Sequence, residues 1–209
     1  MKTKPTRLVF LTLSLWFGPQ VSRAERGEPL GDEVNVYVYV QLNNVAVAEL
    51  RQAQLITARI FAHIGVEVKF RTRLKREATP DLSVSIVLQV DERAPAQLHS
   101  GAMAYAVPFG TSGTRIRVFL DRVRYAWPQD GEGTLMGYVM AHEIAHVLQG
   151  TNRHSENGIM KASWERQDYA QMKSGMLLFD TTDSDLILTA LKQVRNERGG
   201  NRSHSISNK

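Results

Sequence analysis

His142, Glu143 and His146 stand in the order HExxH, and a third histidine, His154, follows eight residues after His146. On an α-helix, residues four apart share a face. His142 and His146 can therefore aim their imidazoles at one ion while Glu143 lies beside it. Two imidazoles with an adjacent carboxylate are the makings of a zinc site served by a base. The flanking residues Leu135, Met136, Val139, Met140, Ile144, Val147 and Leu148 are apolar on almost every side of such a helix, which marks it as buried. Two histidines and a glutamate on a buried helix cost free energy unless something satisfies them, and a zinc ion does so.

A catalytic zinc needs three protein ligands and one open position. Gly150 lets the backbone turn sharply after the helix, so His154 can return beneath the metal. Glu165, nineteen residues past His146, is a rival third ligand on a two-histidine-plus-distant-glutamate plan, and Glu156 is a weaker one.

The elements that must hold these groups follow from periodicity. Val34–Val40 alternates and is rich in β-branched and aromatic residues, so it is a strand. A helix capped by Asn43 or Asn44 runs to about Ile64, with Leu50, Ala53, Ile56 or Thr57, Ile60 and Ile64 on one face and Gly65 as its stop. Val66–Phe70, Leu82–Val90, Ala102–Val107 and Thr114–Leu120 read as further strands. Leu82–Val90 is apolar enough for the middle of a parallel sheet, and Pro108 closes the strand before it. Gly110-Thr111-Ser112-Gly113 reads as a turn, with no GxxxxGK phosphate loop. Helices are expected at Thr134–Gln149, Trp164–Lys173 and Thr181–Arg195. The order predicts an α/β sheet lobe followed by a smaller helical lobe.

The stretch His142–Met160 resembles the metzincin clan of zinc peptidases, whose pattern is HExxHxxGxxH followed by a methionine turn. The resemblance implies His142, His146 and His154 as zinc ligands, Glu143 as general base, and Met160, in Gly158-Ile159-Met160, as the methionine beneath the metal. The glycine and the last histidine come one and two residues later here than in that pattern. Ala162 stands where some members carry a tyrosine. Gly101-Ala102-Met103-Ala104-Tyr105-Ala106-Val107-Pro108 is similar to the edge strand of matrixin-type members, and the whole looks like a secreted bacterial matrixin-like protein. The fold so implied is a mixed, mostly parallel five-stranded twisted sheet with an antiparallel edge strand, an active-site helix and a small C-terminal helical lobe.

Composition bounds the setting. A basic leader, the apolar run Leu8–Phe17, and Ser22-Arg23-Ala24 predict a signal peptide over residues 1–24. Residues 25–198 are then the catalytic domain and 199–209 a disordered tail. The leader holds four of the 26 basic residues and none of the 21 acidic ones, which leaves 22 against 21. From Lys192 onward there are five basic residues and one acidic, so the body is 17 against 20. The high pI lies in the two ends, and a basic surface for nucleic acid is not expected. No membrane anchor is expected after removal of the leader, and a monomer is expected. With no cysteine, neither a disulfide framework nor a thiol that blocks the metal is available.

The expected activity is that of a secreted or periplasmic zinc endopeptidase acting on peptides or proteins. Zinc lowers the pKa of water to about 7, and Glu143 takes the proton and passes it to the leaving amine. Substrate is expected to lie along Ala102, Met103, Ala104, Tyr105 and Ala106 as an added strand; an ordinary protected edge is the alternative, with Tyr105 a packing residue. The alternative functions are a non-hydrolytic zinc-binding module that engages a protein partner, and an esterase or amidase with the same chemistry.

Overall fold

The computed structural model describes residues 35–42, 46–71, 83–98, 101–110, 113–127 and 131–206. The leader assigned to 1–24 and the proposed caps Asn43 and Asn44 lie outside these residues. No helix among the described residues is long and apolar enough to cross a membrane.

Five strands form one sheet: β1 (Asn35–Leu42), β2 (Val68–Arg71), β3 (Ser83–Asp91), β4 (Ala104–Gly110) and β5 (Gly113–Phe119). Their order is β2-β1-β3-β5-β4. The first four in that order pair parallel, and β4 is an antiparallel edge on β5. The helices are α1 (Val47–Ala62), α2 (Leu120–Ala126), α3 (Glu132–Gln149), α4 (Arg166–Ser174) and α5 (Thr181–Ile206).

The expected elements are present, with four differences. β3 is buried on one face rather than two: Ile86, Leu88 and Val90 are fully buried, but Ser85 is exposed and Val87 and Gln89 are half-buried. Its pattern is the alternation of a one-sided sheet, masked by Val87. β4 starts two residues later than expected and passes through Pro108, because an edge strand tolerates a missing N–H; a register shift between Val107 and Gly110 accommodates it. α2 was not expected, since seven residues are too few to show a helical period. α5 continues past the boundary placed at 198, through Gly199 and Gly200 to Ile206. Extending an existing helix adds one hydrogen bond per residue, whereas starting one is costly.

The pairing of α1 with α3 sets the position of the histidines. Gly133 and Gly137, one turn apart on α3, face α1 so closely that an added Cβ would lie 2.7 Å from the Glu49 carboxylate and 2.8 Å from Ile56 Cβ. The Thr57 hydroxyl sits 2.9 Å from both the Ala53 and Gly137 carbonyls and ties the helices together. α3 has no side-chain cap of its own; Glu49 of α1 accepts the Gly133 N–H at 2.7 Å instead. A carboxylate there also complements the positive end of the α3 dipole. The other flank of α3 reaches β4 and β5, which brings the HExxH turn beside the edge strand.

Candidate metal centre

α3 ends at Gly150, which takes a left-handed φ of 66° and donates its N–H to the carbonyls of the last turn. The chain then reverses and runs back past the helix. A second left-handed glycine, Gly158 (φ 73°), turns it again; a Cβ there would lie 2.5 Å from the Leu178 carbonyl. These two turns convert a sequence separation into a cluster. One nitrogen from each of His142, His146 and His154 lies within 4.8 Å of the others. The His154 ring is 5.4 Å from that of His142 and 5.0 Å from that of His146, centroid to centroid. The two-residue lengthening of the loop relative to the metzincin pattern does not take His154 away from the pair.

The protons on two of these rings are fixed by their partners. His142 Nδ1 donates to the Ile159 carbonyl at 2.8 Å, and His146 Nδ1 donates to the Thr151 carbonyl at 3.0 Å. A carbonyl can only accept, so each Nδ1 bears the hydrogen and each Nε2 presents a lone pair. Those two Nε2 atoms face each other at 2.9 Å. Protonating one of them would relieve the clash of lone pairs, but burial pushes His142 down to about 4 and also lowers His146. Near neutral pH the pair is uncharged, and a cation between the lone pairs is what the geometry calls for. Two ligands about 2.1 Å from a tetrahedral zinc stand roughly 3.4 Å apart, so the rings need open by only a few tenths of an ångström. The donor set of three imidazoles, two oriented by backbone carbonyls, fits zinc.

Glu143 is buried at 8% exposure, and burial pushes its carboxyl up to about 7. With His142 and His154 it borders a cleft of about 620 Å³. Gly101, Ala102, Met103 and Ala104 form one rim of that cleft. Tyr105 points elsewhere: its hydroxyl meets Arg117 Nη1 at 3.3 Å and its ring packs 5.8 Å from Phe119. Ala106 is half-buried against the core and is not part of the rim.

Met160 is fully buried among core side chains, and its carbonyl accepts the Ser155 N–H at 2.8 Å. Glu165 is occupied elsewhere, as the cap of α4: its side chain accepts from the helix, and its N–H donates to Asp168 at 2.8 Å. Glu156 is exposed on the loop and is not one of the clustered residues.

Several contributors carry no sequence signal. The Thr151 and Ile159 carbonyls are backbone atoms, which any residue supplies. Trp164 stands edge-on to His142 at 5.7 Å and donates its indole N–H to the same Ile159 carbonyl at 3.2 Å. Tyr169, Arg122 and Lys161 also line the cleft.

The sheet order, the antiparallel edge beside the histidine-bearing helix and the helical C-terminal region make this a metzincin-like fold. Among solved structures, the chain is similar to archaemetzincin from Methanopyrus kandleri, with a TM-score of 0.50 and 16% identity, covering 78% of this chain and 98% of that one. No protein-family model and no curated protein matches the sequence.

Proposed function

We propose that this chain is an exported zinc-dependent endopeptidase, with His142, His146 and His154 as metal ligands and Glu143 as the general base. The observation that carries the reading is the pair of Nε2 lone pairs held 2.9 Å apart by two backbone carbonyls, next to a carboxyl kept buried at some cost. Zinc binding alone requires no carboxylate at position 143, whereas hydrolysis does.

Bound zinc supplies Lewis acidity, polarising a substrate carbonyl and acidifying water. The protein's own groups do the rest. A carboxyl with a pKa near 7 is matched to proton transfer at neutral pH. Glu143 takes a proton from water at the cleft floor and returns it to the departing amine. β4, the edge strand of the sheet among the described residues, offers backbone N–H and C=O groups on which an extended peptide pairs as a further strand. Ala102 and Ala104 leave room for that backbone because their side chains are small. The likeness of residues 101–108 to the matrixin-type edge strand supports a peptide substrate, and residues 1–24 support export.

The test is hydrolysis of casein by purified protein, with and without chelator, and by Glu143→Ala. Metal-dependent cleavage that Glu143→Ala abolishes while still binding zinc is the expected result. Wild-type protein that holds zinc and cleaves nothing at any pH would instead establish a non-hydrolytic zinc-binding module.

A further inference from the structure

Asp183 takes no part in the chemistry above, yet its carboxylate is completely buried in the first turn of α5. A buried carboxylate is costly unless charged and hydrogen-bonding partners surround it. Here two of those partners come from the segment that carries the third histidine, and one from the end of α3. The Arg153 guanidinium pairs with Oδ1, the Ser155 hydroxyl lies 2.8 Å from both carboxylate oxygens, and the Gln149 amide reaches Oδ1 at 3.3 Å. The Asp183 N–H is itself fixed, donating to Asp180 Oδ1 at 2.7 Å.

Arg153 and Ser155 are the two chain neighbours of His154. Where a chain is extended, neighbours on either side share one direction and the residue between them takes the other. Ser155 pairs in a short bridge with Lys161, as an extended residue does. Gripping residues 153 and 155 from one side therefore turns the imidazole of 154 to the opposite side, where the rings of His142 and His146 lie. His154 needs such help: it is exposed and sits on a loop, whereas its two companions are locked on α3.

We propose that Asp183 is the positioning residue for His154, so that α5 sets the third metal ligand through a clamp on Arg153 and Ser155. This rests on the reading of the three histidines as a metal site. It adds a residue from an element about 30 positions downstream, outside the HExxH region altogether.

The test is a metal-affinity cycle by competition with a chromophoric chelator, on wild type, Asp183→Asn, His154→Ala and the double variant, each checked for folding by circular dichroism. Asn keeps the shape and removes the charge. Loss of an outer partner of a metal ligand weakens binding about 10- to 100-fold. That loss is expected in the wild-type background, shrinking to less than about twofold once His154 is absent. The visible absorption of the cobalt-substituted Asp183→Asn protein should move toward that of cobalt-substituted His154→Ala. Unchanged affinity in Asp183→Asn, or an equal loss in both backgrounds, overturns the proposal, because a merely structural role would act regardless of His154. If Asp183→Asn does not fold, Ser155→Ala replaces it in the same cycle, with an expected loss of about fivefold for one hydrogen bond. A wild-type protein that takes up no metal defeats the metal-site reading itself, and the clamp with it.

Discussion

Glu143 stands where two demands of the proposed function conflict: burial beside the candidate metal site, and a charge that hydrolysis would require. Its folded-state pKa of about 7 lies above the ordinary 4.5 in the metal-free protein. Below pH 4.5 the group is neutral in folded and unfolded chains and costs nothing. Above 7 its ionisation opposes folding in full. Glu143→Gln should therefore match the metal-free wild type in stability at pH 4.5 and exceed it at pH 8, by up to about 3 kcal/mol. Melting curves of the two proteins at both pH values check this. The same variant should keep its metal and lose hydrolysis about 10²- to 10⁴-fold. At the third ligand position, His154→Ala should weaken zinc retention, whereas Glu165→Ala should leave it intact and cost only a helix cap, about 1 kcal/mol. Metal analysis after gel filtration separates them; the opposite pattern would remove His154 from the site. The sequence made His142, Glu143 and His146 legible because four-residue spacing maps directly onto a helix face. It left His154 competing with Glu165 because two glycine turns decide the path between them. The Ile159 and Thr151 carbonyls were invisible, since orienting a ring through the backbone demands no particular side chain.

At the scale of elements, the register of α3 against α1 controls where the histidines sit. Gly137→Ala removes a flexible residue from a helix interior, which alone would gain roughly 1 kcal/mol. The new methyl group, however, would meet Ile56 Cβ at 2.8 Å and the Ala53 carbonyl at 2.9 Å. A backbone oxygen in a packed helix cannot step aside, and overpacking of this kind costs about 1–3 kcal/mol. The variant should melt at a lower temperature than wild type, and an unchanged or higher Tm would show that the helices can separate without loss. Most of the architecture was readable because strands alternate and helices repeat every 3.6 residues. α2 escaped because Leu120–Ala126 is shorter than two full turns. The one-sided burial of β3 escaped because Val87, on the outward face, extended the apolar run. Long-range contacts such as Glu49 capping α3 leave no local trace, since the two partners are 84 residues apart.

For the molecule as a whole, an ion held by α3 and the following loop binds the folded chain and not the unfolded one, so occupancy adds to stability. Free zinc at a hundred times its dissociation constant should contribute about 2.7 kcal/mol, raising Tm by about 5–10 °C for a chain of this size. Chelator should reverse the shift, and a Tm indifferent to both would argue against a bound ion. The overall charge carries little further information, because the basic excess resides in the two ends. The donor set, by contrast, has a consequence for the conditions the protein can endure. Metal centres built on thiolates discharge their ion when peroxide attacks the sulfur. This chain has no cysteine anywhere; Met160 is sealed from solvent, and Met103, on the rim of the cleft, is not one of the clustered donors. If the three histidines hold zinc as proposed, exposure to peroxide should leave that ion in place, and acid or a competing chelator is the way to remove it.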